Sequence, residues 1–286
     1  MKDQSLHLDP GEAPRDPEQL EASAERSSSR TASVRLGPVH LTVSNLSRSV
    51  EYYRQAVGLR LLVDGSRRAA LGAGDRELLA LVEESGASGS FGYTGLYHFA
   101  LLVPARPDLA AWLAHAARDR VHLVGLSDHF VSEAIYLSDP DGHGIEIYWD
   151  RPRDVWEGQV AARMTTLPLD VDSLLGELAD PASAPFDGLP TGTVMGHVHL
   201  KVANIADTVV FYRDDLGFDL MAELGQQAAF LSAGGYHHHI GANTWESAGA
   251  GPPPPGPLRS GTRRSFSARL TISIASDSGS RAADAR

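Results

Sequence analysis

The chain has 286 residues, 42% hydrophobic and 21% charged, which is enough for one large or two ordinary domains and excludes a wholly disordered chain. The net charge of −11 disfavours nucleic acid as a partner. Because there is no long apolar run and no secretory signal, the sequence predicts a soluble, cytoplasmic protein without membrane contact. Cysteine is absent, so any metal site has to be built from histidines and carboxylates.

The first structural unit begins near Val39. Residues 1–35 are poor in large apolar side chains and predict a flexible extension. The sequence then alternates like a strand and changes to helical spacing, with Asn45 or Ser47 as the N-cap and Gly58 at the end. Three short apolar runs that are typical of strands follow at 59–63, 69–71 and 78–82. This order predicts a βαβββ module.

The same module recurs along the chain. A shift of 159 residues aligns Val39–Leu62 with Val198–Met221 without gaps, and ten of the 24 positions are identical. Between these copies, Leu96–Asp150 repeats the order of elements with different residues. The sequence therefore contains three modules and predicts an α+β fold of paired βαβββ modules.

A fourth module is expected after Trp245, but the sequence does not supply a convincing one. It offers a single weak strand candidate at Ala268–Ala275 in a segment rich in Ser, Arg and Ala. We therefore expect an irregular, disordered tail and a second half that lacks part of its barrel. The predicted divisions are 1–35 (extension), 36–155 (two modules with the metal site), 156–192 (linker), 193–250 (third module) and 251–286 (tail).

Three side chains are candidates for a metal site. His40 and His98 lie near the start of the first strand of modules one and two, and Glu146 lies in the last strand of module two. A fold that pairs these modules would bring the three residues to one cavity. Two imidazoles and one carboxylate leave about half of an octahedral shell open, an arrangement that suits non-haem Fe(II).

A second group of histidines lies in module three. His199 repeats His40, and His237 and His239 would share one face of a strand. They form a second choice for the metal site. No carboxylate in a comparable strand accompanies them after Trp245, so we expect a degenerate site here rather than a second complete one.

The stretch DHFVSEAIYLSDPDGHGIE, from Asp128 to Glu146, has a recognisable spacing of His129, Tyr136 and Glu146. It resembles the signature of extradiol ring-cleaving dioxygenases of the vicinal oxygen chelate superfamily, although Ser127, two places before the His, stands where a Gly or one of a few other residues is usual. Phrases such as GLYHFALLVPARPDL and LSAGGYHHHIGANTW resemble the two-domain catechol 2,3-dioxygenases of that superfamily.

The resemblance implies paired modules that form half-barrels, and metal ligands at His40, His98 and Glu146. It also implies that His129 and Tyr136 lie near the substrate, where His129 would assist proton transfer and Tyr136 would hydrogen-bond a substrate oxygen. The implied activity is Fe(2+)-dependent cleavage of a catechol-like aromatic diol by O2, in aromatic compound catabolism. The sequence leaves open whether the chain forms a homo-oligomer.

Two other functions remain open on the sequence. A glyoxalase-like lyase or isomerase would use Zn or Ni as a Lewis acid without O2. A sequestering protein of the bleomycin-resistance type would bind a small molecule in the same cavity without any metal. Metal content and O2 consumption distinguish the three.

Overall fold

The computed structural model describes residues 33–85, 87, 91–253, 268–275 and 281–285. Most of the predicted extension, residues 1–32, and much of the tail lie outside the described residues. Within them, two sheets share one hydrophobic core, to which all three modules contribute. No helix in this part of the chain is long and apolar enough to cross a membrane.

Module one has the predicted order of elements. Its elements are β1 (Ser33–Val43), α1 (Leu46–Tyr52) with a π-helical continuation (Tyr53–Val57), β2 (Arg60–Asp64), β3 (Arg68–Ala73) and β4 (Arg76–Glu83). Asn45 is the N-cap, because its side chain accepts a hydrogen bond from the Arg48 amide at 2.9 Å. Gly58 ends the helix with a φ of +87°. Both helix boundaries predicted from the sequence are thus confirmed.

Modules two and three repeat this order. Module two consists of β5 (Gly95–Leu102), α2 (Arg106–Arg118), β6 (Leu123–Asp128), β7 (Ser132–Ser138) and β8 (Gly144–Asp150). The connecting segment contains α3 (Arg153–Trp156), α4 (Val160–Arg163), β9 (Leu167–Pro168) and α5 (Val171–Leu175). Module three consists of β10 (Val194–Lys201), α6 (Ile205–Val209) with a π-helical continuation (Val210–Asp215), β11 (Asp219–Leu224), β12 (Ala228–Ser232) and β13 (Ile240–Asn243).

The sheet topology joins module two to module three. The nine-stranded sheet has the order β11-β12-β13-β10-β5-β8-β7-β6-β9. Its centre is the antiparallel pair of first strands, β5 and β10. The sequence predicts a sheet partnership of modules one and two instead. Module one contacts module two through side chains, as when Trp112 Nε1 donates to the Val57 carbonyl at 3.0 Å.

The tail supplies two strands to the other sheet. Its strands are β14 (Ala268–Ala275) and β15 (Arg281–Ala285), and the six-stranded sheet has the order β15-β14-β1-β4-β3-β2. β14 runs antiparallel to β1, as β10 does to β5. The strand candidate at Ala268–Ala275 is confirmed, and the expectation of an irregular tail is wrong for these two segments. The physical reason is that β1 would otherwise leave an unpaired edge.

Candidate active site

Two histidines lie at matching places in the central strands of the nine-stranded sheet. His98 is the fourth residue of β5, and His197 is the fourth residue of β10. The two strands are related by a local two-fold axis, because His98 pairs with His199 and His197 pairs with Ala100. Both imidazoles are buried. The pairing of the two modules therefore brings one histidine from each to the same place.

Glu146 completes this group from β8, which runs parallel to β5. Its carboxylate Oε2 lies 3.0 Å from Nε2 of His98 and 3.0 Å from Nε2 of His197. One ligand atom from each residue lies within 4.8 Å of the other two. The close approach of β8 to β5 depends on Gly144, since a Cβ there would stand 2.3 Å from the Tyr97 carbonyl oxygen.

The group has the properties of a metal site. Glu146 is 2% exposed, and its burial alone would raise its pKa. The two imidazoles more than offset this and hold the pKa of Glu146 well below its usual range, so the carboxylate is ionised. Burial lowers the pKa of His197, which leaves a neutral imidazole. Nε2 of His98 is close to Glu146 but lacks a well-aligned hydrogen bond, and such buried atoms are rare unless they bind something. A divalent ion fits this donor set.

His40 does not belong to this group. It lies in β1 of the six-stranded sheet, where it pairs with Ala80 on one side and Arg269 on the other. The prediction that His40 lies next to His98 and Glu146 is therefore wrong. The physical reason is that β10, and not β1, is the antiparallel neighbour of β5.

The sequence contains a signal for His197 that the internal repeat hides. His98 stands five residues before Val103, and His197 stands five residues before Val202. At the same distance before Val43, module one has Pro38. Counting back from the valine that ends β1 or directly follows β5 and β10 therefore singles out His197, whereas the gapless repeat alignment draws attention to His199.

We refer to His98, Glu146 and His197 as the metal group. The two signature residues, His129 and Tyr136, lie together beside it. Nε2 of His129 is 2.7 Å from the Tyr136 hydroxyl, and Tyr136 is the cross-strand neighbour of Glu146. Burial and the negative charge of Glu146 raise the pKa of Tyr136 well above its usual range. Tyr136 is thus a neutral phenol that can donate a hydrogen bond. Nδ1 of His129 is 2.7 Å from the Thr165 carbonyl oxygen, which orients the imidazole.

Charged side chains stabilise the turn that contains His129. Phe130 has a φ of +68°, which is unfavourable for a bulky residue. Asp128 compensates by accepting a hydrogen bond from the Phe130 amide at 2.8 Å, and Arg151 grips the same carboxylate with two contacts of 2.8 Å. This arrangement holds His129 over Tyr136.

The histidines of the second-choice site are separated from one another. His237 lies 2.7 Å from the Asp150 carboxylate, and His239 lies 3.0 Å from the Ser232 hydroxyl. His199 packs against His98 with ring centroids 5.0 Å apart. In the described part of the chain, no metal-like group combines these three histidines. His237 and His239 precede β13 instead of lying in a strand, so the expected alternation of faces does not apply.

The metal group forms part of the wall of a cavity of about 660 Å³. The cavity wall includes His98, Glu146, His197, His129, Tyr136, His199, His238, Lys201, Glu223, Phe230, Trp245 and Glu246. The metal group and the two signature residues thus line the same cavity, which is large enough for a small organic molecule.

Comparison with known proteins agrees with this geometry. The family model described as the Glyoxalase/Bleomycin resistance protein/Dioxygenase superfamily matches residues 35–147. The chain is 41% identical over 225 residues to the catechol-2,3-dioxygenase of Bacillus subtilis (strain 168), covering 77% of this chain and 78% of that protein. It is 31% identical over 116 residues to the metallothiol transferase FosB of Staphylococcus epidermidis, covering 38% of this chain and 80% of that protein.

A solved structure extends the likeness to the fold. The crystal structure of a protein from Bacillus subtilis subsp. subtilis str. 168, which carries a provisional dioxygenase assignment, matches with a TM-score of 0.51 at 14% identity. The match covers 85% of this chain and 82% of that one.

The chain belongs to the glyoxalase/bleomycin resistance/dioxygenase superfamily, as its fold, its site and its relatives agree. Within that superfamily, its similarity to a catechol-2,3-dioxygenase over most of both chains places it among the oxidoreductases of the extradiol dioxygenase type.

Proposed function

We propose that this protein is an Fe(II)-dependent dioxygenase that opens the ring of a catechol-like aromatic diol beside its two hydroxyl groups. The observation that carries the proposal is the meeting of His98, Glu146 and His197 on the wall of one cavity, with the His129–Tyr136 pair beside them. The proposed ligand set keeps His98 and Glu146 from the sequence-based set and has His197 in place of His40.

The three proposed ligands form a donor set that suits Fe(II). Two imidazoles and one carboxylate bind one side of a divalent ion and leave about half of an octahedral shell open, as in non-haem Fe(II) oxygenases. When bound, Fe(II) would supply adjacent positions for a chelating diol and for O2. The overall reaction inserts both oxygen atoms of O2 into the product, so no external reductant is required.

The other residues of the site would handle protons. A diol has to lose protons as it binds to a cation, and His129 offers an imidazole nitrogen within the cavity to accept one. Tyr136 would keep its own proton and donate a hydrogen bond to a substrate oxygen or to His129. The Thr165 carbonyl would fix the tautomer of His129 by accepting from Nδ1.

The proposal is tested by loading the purified protein with Fe(II) under anaerobic conditions, measuring iron per chain, and adding catechol with air. We expect about one iron per chain, one O2 consumed per diol, and the absorbance of a yellow ring-fission product. Parallel samples with Zn(II) or Ni(II) and a hemithioacetal substrate test the glyoxalase-like alternative. Tight binding of a diol without metal or turnover would indicate a sequestering protein instead.

A pair of variants assigns the activity to the site. Glu146→Gln removes the one anionic ligand while keeping its shape, so we expect loss of iron and of ring cleavage. Glu51→Gln is the matched control, because Glu51 is exposed on α1 and contacts Gln55. Wild-type iron content in Glu146→Gln would refute the ligand assignment.

A further inference from the structure

The turn that contains His129 has a strained backbone. His129, Phe130 and Val131 connect β6 to β7, and Phe130 has a φ of +68°. A bulky residue keeps such a conformation only where the surrounding structure enforces it, and strain of this kind clusters at functional sites. Here it lies directly beside a residue of the cavity wall. The groups that enforce the turn therefore also determine where the imidazole of His129 lies.

The two residues that close this turn carry like charges. Asp128 in β6 lies directly opposite Glu133 in β7, and two carboxylates in this relation repel each other. Arg151, which directly follows β8, bridges them. Its Nη1 and Nη2 donate to the two oxygens of Asp128 at 2.8 Å each, and Nη2 also donates to Glu133 at 3.0 Å. One guanidinium thus offsets the repulsion between the two carboxylates.

The same arginine holds the backbone of the turn. Its Nη1 lies 3.3 Å from the Phe130 carbonyl oxygen and 3.5 Å from that of Ser132. The main-chain amide of Arg151 donates to the Val131 carbonyl at 2.9 Å. A guanidinium can make this set of contacts because it is a planar fork with five N–H donors, whereas the ammonium group of lysine lacks two parallel donors. Lysine should therefore be a poor substitute for Arg151.

Arg151 is anchored by groups outside the turn. It lies outside the cavity wall, and its partner Glu133 is mostly buried. Glu133 also accepts from Nε of Arg106, the first residue of α2, at 2.8 Å. Arg106 in turn lies 2.7 Å from the Glu177 carboxylate in the connecting segment. This charge network ties the turn to a helix and to the segment between modules two and three.

We propose that Arg151 is a positioning residue for His129, which holds the turn so that the imidazole stays between the Thr165 carbonyl and the Tyr136 hydroxyl. The inference rests on the proposed function, in which His129 accepts a proton from the diol. The imidazole lies 2.7 Å from each of its two partners, and a displacement of about 1 Å at a reacting group can cost about 100-fold in rate. Arg151 acts on the rate through His129 and not through contact with the substrate.

The test is a double-mutant cycle on the iron-loaded protein with catechol and O2. Arg151→Lys keeps the charge but loses the fork, so we expect kcat to fall by about 10- to 100-fold while KM and iron content stay unchanged. His129→Gln should lower kcat by at least as much. In that background Arg151→Lys should cause no further loss, because its effect passes through His129. A full additional loss in the double variant, or a wild-type kcat in Arg151→Lys, would overturn the proposal.

Two other variants complete the cycle. Asp128→Asn weakens the grip of Arg151 without changing the arginine, and it should lower kcat in the same way; it also serves if Arg151→Lys does not fold. Arg153→Lys is the matched control. Arg153 is an exposed arginine that pairs with Glu157 at 2.9 Å and lies outside the cavity wall, so its replacement should leave kcat unchanged.

Nuclear magnetic resonance on the metal-free protein separates this inference from the proposed function. At about pH 8, the ring nitrogen signals of His129, assigned by their loss in His129→Gln, should show the proton fixed on Nδ1, which faces a carbonyl oxygen. Arg151→Lys and Asp128→Asn should mix the two tautomers, and Arg153→Lys should not. If no diol is cleaved but Arg151→Lys shifts these signals, the dioxygenase proposal fails and the positioning role stands. If the signals of His129 are the same in Arg151→Lys and the wild type, the positioning role is wrong.

Discussion

The metal group makes a sharp prediction about two histidines of the same chain. His197→Ala removes one of three converging donors, whereas His40→Ala alters a residue of the other sheet. Structural zinc sites in zinc-finger peptides, which have four protein ligands, bind with about 10–16 kcal/mol, or about 3 kcal/mol for each ligand. The loss of His197 should therefore weaken Fe(II) or Co(II) binding on the order of 100-fold, while His40→Ala should bind as the wild type does.

The assay is an anaerobic competition between the protein and a chromophoric chelator, with bound metal measured separately by elemental analysis. Circular dichroism and thermal unfolding establish that both variants are folded. The assignment of His197 as a ligand is refuted if His40→Ala loses the metal and His197→Ala retains it. That result would restore the ligand set His40, His98 and Glu146 and would mean that β1 approaches β5 in the working enzyme.

Three further predictions concern the surroundings of the site. Tyr136→Phe should lower kcat by about 100-fold with unchanged metal content, because it removes the hydroxyl that contacts His129; steady-state ring-fission rates and iron analysis check this, and an unchanged kcat would exclude a role in catalysis. Burial raises the pKa of Asp139, but hydrogen bonds, chiefly from His143, outweigh it and hold the pKa below its usual 3.8. The ionised Asp139 carboxylate therefore stabilises the folded protein fully above its unfolded-state pKa of about 4. This stabilisation is lost as the pH falls through the lower pKa of Asp139 in the folded protein. Asp139→Asn should therefore cost about 2 kcal/mol at pH 7 and less at pH 3 in denaturant unfolding, and an equal cost at both values would contradict this. A chain that ends at Pro253 lacks β14 and should self-associate in light scattering, because the edge of β1 is then unpaired; a monomer would contradict this.

Local features of the fold are predictable from the sequence because they depend on near neighbours. The Asn45 cap, the Gly58 helix end and the strand at Ala268–Ala275 all follow from propensity and periodicity over a few residues. The closeness of His129 and Tyr136 also follows from one continuous stretch, since His129 lies in the turn of a hairpin and Tyr136 lies in the strand that follows it.

Module pairing is harder to predict because it depends on contacts between distant residues. Each first strand offers an edge that any other first strand could pair with, and the sequence of β5 does not state whether β1 or β10 is its neighbour. The identical Val-His-Leu in modules one and three emphasises His199 and hides His197. Both residues lie on the same face of β10, and the register with β5 decides which of them meets Glu146.

Register also explains why module three does not build a site of its own. In module two, Ala100 lies two residues after the proposed ligand His98 and pairs with Glu146. The equivalent pair in module three is His199 with Gly241. Module three therefore has the histidine, but it has Gly241 at the position equivalent to Glu146. His197 can bind a metal together with a carboxylate only because β10 pairs with β5, the strand beside Glu146.

The pairing of β1 with β14 resembles that of β5 with β10, but its equivalent positions lack the three residues of the metal group. The place of His98 is taken by Pro38. The place of Glu146 falls on Ala80, which pairs with His40 across the parallel strands β1 and β4. The place of His197 falls on Arg269 of β14. Because proline, alanine and arginine cannot replace two imidazoles and a carboxylate as ligands, these positions do not form a second metal site, and within the described residues the candidate metal group lies in modules two and three.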